Sequence, residues 1–93
     1  MDRFRAMAAF VAVADEEGFA AAGRALRLSA PSVTRLVSEL EETLGARLFH
    51  RTTRSVRLTD AGGRYLEDCR RILTDLEEAD AHAGGRHGQP EGW

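Results

Sequence analysis

Short polar side chains and one arginine line the exposed side of a predicted helix in the middle of the chain. Ser32 and Thr34 can donate or accept hydrogen bonds, and Arg35 can donate two parallel hydrogen bonds to a guanine. The Thr34 methyl group and the two residues that open the helix can contact a thymine methyl. The pattern predicts contacts with base edges in the DNA major groove, although a solvated helix face alone would look the same. The candidates are Ala30, Pro31, Ser32, Thr34, Arg35 and Ser38.

A polar tip that contains an arginine separates two short stretches of strand-forming residues, 48–51 and 56–59. This arrangement predicts a two-stranded hairpin, or wing. Narrow minor grooves concentrate negative potential and attract arginine, so Arg54 is the candidate for a minor-groove contact. Arg51 and Thr53 are the candidates for phosphate contacts. Considered alone, Arg54 is better explained as an ordinary exposed turn residue, and only the third helix beside it favours the groove contact.

A helix-turn-helix is the unit that would position the polar helix face. Residues 20–26 predict a short second helix, and a tight connection follows it. Ser29 is placed to cap a third helix, Pro31 fits its first turn, and Gly45 is placed to end it. In such units the third helix lies in the major groove. Phosphate contacts from the second helix and the turn are expected at Ala20, Arg24 and Ser29. The buried stripe of the third helix is predicted to be Val33, Leu36, Val37, Leu40 and Leu44.

Two further helices are predicted to flank this unit. The first runs from near Asp2 to about Gly18, and a fourth, capped by Thr59, covers residues 60–83. The fourth helix would be roughly 35 Å long, too long for so small a core to cover, and therefore needs a partner. Its predicted dimer interface is Leu66, Cys69, Leu73 and Leu76. The stripe of the first helix that is expected to face the core is Phe4, Met7, Ala8, Val11 and Ala14.

The distribution of charge supports a nucleic-acid partner in spite of a formal net charge of −2. Residues 24–57 carry seven arginines and three acidic residues, whereas residues 61–93 carry four arginines and seven acidic residues. Phosphate binding is built from positive charge, so the basic centre fits DNA better than the average charge indicates.

Length and composition exclude several classes of protein. The 93 residues leave room for one domain, and no apolar run approaches the roughly 18 residues of a membrane span. We find no secretory signal, and Cys69 is the only thiol, which excludes an internal disulfide. A cytoplasmic location is therefore expected. Residues 84–93 combine Gly, Pro and polar residues and predict a flexible tail.

Three alternative functions remain to be weighed. An enzyme would need converging titratable groups, but His50, His82 and His87 are scattered and Cys69 lies on an apolar stripe, so no catalytic, metal or cofactor site is predicted. A coiled-coil dimerisation module without DNA reading would explain the fourth helix but not the wing. A different winged-helix family or an RNA binder is the third alternative; duplex RNA offers side chains no readable major groove.

The sequence from Met1 to about Ala83 resembles the N-terminal domain of the LysR-type transcriptional regulators. The most specific matches are LGARLFHRTTRSVRLTDAG and the linker-helix sequence RYLEDCRRIL. Two positions depart from the family pattern. Ala20 stands where Ser or Thr is usual and would lack a helix cap, and Ala30 stands where many members have glutamine, which removes one adenine-reading amide.

The resemblance implies an all-α fold with a small β-hairpin, in which a winged helix-turn-helix is followed by a long linker helix that forms a dimer. The expected organisation is a DNA-binding domain at 1–59, a dimerisation helix at 60–83, and a tail at 84–93 that leads to an absent effector-binding domain. The expected partners are an inverted-repeat DNA operator and a second copy of the chain; whether full-length subunits form tetramers is left open. A small-molecule inducer would act only through the absent C-terminal domain, and the chain is expected to be a truncation or an expressed domain.

Overall fold

The helices begin at residues whose side chains or backbone can cap them. The computed structural model describes residues 1–52 and 55–84. Asp2 accepts from the Arg5 N–H at 3.1 Å, Ser29 from the Ser32 N–H at 3.2 Å, and Thr59 from the Gly62 N–H at 2.9 Å. The elements in chain order are α1 (Arg3–Glu16), α2 (Phe19–Leu26), α3 (Ala30–Leu44), β1 (Phe49–Arg51), β2 (Val56–Leu58) and α4 (Asp60–Gly84). The predicted fold class, helical with one small hairpin, is confirmed.

The core-facing side of α1 differs from the predicted stripe. Of the predicted residues only Met7 is buried, and Phe4 is 46% exposed. Every position of α1 from Ala6 to Ala14 is apolar, so spacing alone does not select a face. The orientation is fixed by Phe10, whose ring packs against Phe49 and Tyr65 at centroid distances of 5.3 and 5.7 Å. The buried residues of α1 are Ala6, Met7, Ala9, Phe10 and Val13.

A close backbone approach at Gly23 sets the angle between α2 and α3. The N–H of Leu28 donates to the Gly23 carbonyl at 2.8 Å, and Arg27 adopts a left-handed conformation with φ of 60° to close the turn. A Cβ atom at position 23 would stand 2.6 Å from the Leu28 carbonyl oxygen. Only glycine fits this position, which is therefore part of the helix-turn-helix geometry.

The predicted hairpin is confirmed, with antiparallel strands one residue shorter at their outer ends than expected. Phe49 pairs with Leu58, His50 with Arg57, and Arg51 with Val56. Phe49 is 2% exposed, and its ring also packs edge-on against that of Phe19 at 6.0 Å. The hairpin is thus attached to the helices through its first strand.

The first half of α4 packs against the rest of the chain. Cys69 is completely buried, and Tyr65, Leu66, Ile72 and Leu73 are partly buried against the same core. The Arg70 guanidinium pairs with Asp15 at 2.6 Å and lowers the pKa of that carboxyl. Because Cys69 has no surface left for a second subunit, its predicted place in the dimer interface does not fit the structure.

The second half of α4 extends beyond the core. The molecule measures 51 × 24 × 21 Å, and most side chains of residues 74–84 are exposed. The helix ends at Gly84, one residue beyond the predicted 60–83; of the predicted tail, residues 85–93 lie outside the described residues. Within residues 1–52 and 55–84, no helix is long and apolar enough to cross a membrane.

We predict that Gly23→Ala lowers the free energy of unfolding by about 1–3 kcal/mol, because the new methyl group collides with the Leu28 carbonyl. Gly63→Ala is the matched control. A Cβ atom there meets nothing within 4 Å, so better helix propensity should stabilise the protein by about 0.5–1 kcal/mol. Urea denaturation followed by circular dichroism measures both values. Equal effects at the two positions would contradict the close approach.

We predict that the Cys69 thiol is unreactive in the folded protein. Burial raises its pKa to about 11, so little thiolate forms near neutral pH and reagents have no access. A colorimetric disulfide reagent at pH 8 should titrate the thiol only after denaturant is added. Rapid reaction without denaturant would show that α4 detaches from the core.

Candidate nucleic-acid interface

The N-terminus of α3 is ordered by two serine hydroxyls. Ser29 caps the helix and also donates its hydroxyl hydrogen to Ser32 Oγ at 2.8 Å. The Ser29 hydroxyl therefore both donates and accepts within the first turn of α3. The hydroxyl hydrogen of Ser32 is not used in this bond and can be donated to a ligand.

The predicted base-contacting residues lie on and beside one exposed face of α3. Pro31, Arg35 and Ser38 are separated by four and three residues, and the buried Val33, Val37 and Leu40 lie on the other side of the helix. Thr34 stands at the margin, where its hydroxyl donates to the Ala30 carbonyl at 3.0 Å. The structure thus brings the predicted residues together, although the hydroxyl hydrogen of Thr34 is already donated within α3.

The guanidinium of Arg35 is available for an external ligand. Arg35 is exposed, and within residues 1–52 and 55–84 no carboxylate pairs with it. Residues 24–38 contain three arginines and no acidic residue, whereas Glu39 and Glu42 follow in the second half of α3. The helix dipole adds positive potential at the same end. The N-terminal half of α3 is therefore the part suited to a polyanion.

An open groove of about 560 Å³ runs beside the second half of α3. It separates the exposed helix face from the segment that leads into the hairpin. Its polar lining residues include Arg35, Ser38, Glu39, Glu42, Arg47 and Arg51. Both signs of charge are present here, so the groove is less suited to phosphate than the start of α3.

The predicted phosphate contact of Arg51 does not fit the geometry. Its side chain is 25% exposed, one terminal nitrogen donates to Glu41 Oε1 at 3.1 Å, and the guanidinium carbon lies 4.7 Å from the centre of the Phe19 ring. Arg51 is engaged within the protein. The other two predicted wing residues, Thr53 and Arg54, lie outside the described residues.

The outer face of the hairpin carries basic residues that sequence reasoning did not select. His50 and Arg57 are paired across the strands, and both are exposed. The turn beyond them is closed by the Thr52 N–H, which donates to the Ser55 carbonyl at 2.9 Å. The alternation of the strands was the available signal for Arg57, since it shares a face with His50.

Sequence reasoning also missed Glu41, the one charged residue that is buried among those described. Its side chain is only 8% exposed, and its carboxylate accepts from the Leu48 and Phe49 N–H groups at 2.8 and 3.4 Å. Arg51 and the more exposed Arg47 complete its surroundings, with Arg47 Nε at 3.6 Å. Its position four residues after Val37 places it on the apolar stripe of α3 and was the available signal.

The N-terminus of α2 differs from the one expected from the sequence. Gly18, not Ala20, is the N-cap of α2, and no side chain of the described residues caps that helix. Ala20 is an exposed residue of the first turn, so the predicted loss of a cap at this position is wrong. Arg24 is exposed in the last turn of α2, beside the connection to α3.

Comparison with known proteins places this arrangement among bacterial regulators. Residues 4–63 match the family model described as bacterial regulatory helix-turn-helix protein, lysR family. A transcriptional regulator of Xanthomonas campestris pv. campestris (strain 8004) is 49% identical over 84 residues, and ClcR of Pseudomonas putida is 45% identical over 85. These alignments cover 90% and 89% of this chain but only 24% and 29% of the relatives, so the chain spans about a quarter of their length.

Solved structures show the same fold. The crystal structure of a CbnR_DBD–DNA complex is 40% identical and superposes with a TM-score of 0.78, covering 92% of this chain and all of that one. The complex of BenM_DBD with catB site 1 DNA is 28% identical with a TM-score of 0.85, covering 90% of this chain and 93% of that one.

Proposed function

Because the chain belongs to the lysR family of bacterial regulatory helix-turn-helix proteins, we propose that it binds double-stranded DNA through the N-terminal half of α3 as the DNA-reading part of a transcriptional regulator. The observation that carries this proposal is the exposed Arg35, which no carboxylate among the described residues pairs with, on a helix face free of acidic residues up to Ser38. The similarity to DNA-binding domains solved with DNA supports it.

Within this surface we assign some residues to contacts with bases and others to contacts with phosphates. Arg35 has the reach and the paired donors to bind a guanine edge, and Ser32, Thr34 and Ser38 are polar enough to contact bases beside it. Ala30 and Pro31 offer apolar contact to a thymine methyl. Arg24 and the first turn of α2 at Ala20 would hold the phosphates that fix the register of the helix in the groove.

The projecting part of α4 supports a homodimer. Leu76 is partly exposed beyond the core, and Leu66 and Leu73 keep part of their surface free on the same helix. We propose that α4 of a second copy covers these leucines, with residues 1–59 as the DNA-reading unit and 60–83 as the dimerisation helix. Two α3 helices would then bind half-sites about 34 Å apart in an inverted repeat.

The relatives are regulators, and no step of catalysis is assigned to this chain. We propose that in a longer protein of this family a further domain receives a small-molecule signal. The competing function is a dimerisation module that does not read DNA. The exposed Arg35 argues against that alternative, since a dimer through α4 makes no use of it.

We predict that Arg35→Ala relaxes base preference. Sequences selected from a random duplex pool should lose one specified base in each half-site, with a discrimination loss of about 1–3 kcal/mol there. Arg24→Ala is the comparison variant, which should weaken binding equally for all sequences and lower the slope of log K against log salt by about 0.9. Fluorescence anisotropy on single-base variants measures both. Unchanged preference in Arg35→Ala would remove this residue from the base contacts.

We predict that Leu76→Asp separates the dimer without unfolding the protein. A charge at this position would have to be buried without a partner in the dimer, whereas in the monomer it meets water. Sedimentation velocity should show a single species of half the mass, with an unchanged helical spectrum. Thr74→Asp, which places the same charge on an exposed position of α4, should remain dimeric. A dimeric Leu76→Asp protein would contradict the proposed interface.

A further inference from the structure

One contact joins the hairpin to both helices of the helix-turn-helix. It consists of Phe19, Glu41 and Arg51, which we call the wing-base contact. Phe19 is the first residue of α2, Glu41 lies in the last turns of α3, and Arg51 is the last residue of β1 before the hairpin turn. Three consecutive elements, α2, α3 and β1, therefore meet at one point.

Glu41 holds β1 at both ends. One carboxylate oxygen accepts from the Leu48 and Phe49 N–H groups, at the start of the strand, and the other accepts from Arg51 at its end. A buried carboxylate is costly unless hydrogen bonds and an opposite charge surround it, and here both are present. The position of the strand relative to α3 is thus tied to this one side chain.

Arg51 and Phe19 extend the contact to α2. The guanidinium lies over the Phe19 ring at 4.7 Å, a distance suited to a cation–π interaction. Phe19 also packs on Phe49 of the same strand. A two-stranded hairpin with strands of three residues has little stability of its own, so its orientation must come from contacts of this kind.

We infer that Glu41 and Arg51 are positioning residues for DNA binding. They hold the hairpin at the angle to α3 at which both elements meet the same stretch of DNA, and neither residue touches the DNA itself. This inference rests on the proposed function and on the wing contact with DNA that the sequence predicts, and it adds the residues that align the hairpin with α3. It also replaces the phosphate contact that the sequence predicted for Arg51.

Glu41→Gln distinguishes positioning from simple electrostatics because the two predict opposite signs. Removal of a negative charge near DNA should tighten binding, and the matched control Glu42→Gln, on the exposed side of α3, should do so slightly. If the hairpin is misaligned, Glu41→Gln should instead weaken binding on the order of tenfold or more. Glutamine has only one accepting oxygen, whereas the Glu41 contacts use two. Binding is measured by anisotropy at several salt concentrations, well below the melting temperature of each variant.

Arg51→Lys is the second variant, and it remains informative if Glu41→Gln does not fold. A lysine keeps the charge that a phosphate contact needs but loses the planar fork and the stacking on Phe19. If Arg51 is a positioning residue, the affinity of Arg51→Lys for DNA falls. The slope of log K against log salt also becomes shallower, because the misaligned hairpin loses its phosphate contacts. Affinity and slope equal to those of the parent would overturn the inference.

The amide signals of Leu48 and Phe49 provide a readout independent of DNA. In Glu41→Gln they should shift and exchange faster with solvent, while those of α1 remain in place. If the parent chain binds no duplex at low salt, the proposed function fails. If the parent binds and Glu41→Gln, folded, binds as tightly as Glu42→Gln, only the positioning role fails.

Discussion

The aromatic cluster of Phe10, Phe19, Phe49 and Tyr65 is the contact on which the rest of this fold depends. It takes one ring each from α1, α2, β1 and α4, with centroid distances of 5.3 to 6.0 Å. A chain of 93 residues buries proportionately little surface, so few such contacts are available to orient its elements. Loss of one ring would loosen several elements at once, including the hairpin and the helix that carries Arg35.

The sequence predicted best what local chemistry decides. Caps at Ser29 and Thr59, the end of α3 at Gly45, and the buried stripe around Val37 depend on residues within a turn of each other, and the structure confirms them. The face of α1 was predicted wrongly, because an apolar helix offers several stripes and packing chooses one. Long-range pairs were also beyond prediction. A phosphate contact was expected for Arg51 because its partner Glu41, ten residues away on another element, could not be recognised from the sequence.

The distribution of charge explains how a chain with net charge −2 can suit a polyanion. Seven acidic residues lie on α4, whereas residues 24–38 of the helix-turn-helix carry only basic charge. The negative charge of Glu41 is compensated by Arg51 and Arg47, which surround its carboxylate. What governs attraction to DNA is the local potential at the binding face, and the formal sum over the chain is a poor guide to it.

The projection of α4 makes the helix a lever arm. Residues 74–84 extend about 16 Å past the core, so a tilt of about 12° at the point where α4 leaves α1 would move the far end by roughly 3.4 Å, the rise of one base pair. In the proposed dimer, the packing of Cys69 and Tyr65 against α1 would then set operator spacing to within one base-pair step. Substitutions in the core, far from the DNA, would therefore change in small steps the spacing of half-sites that the dimer accepts.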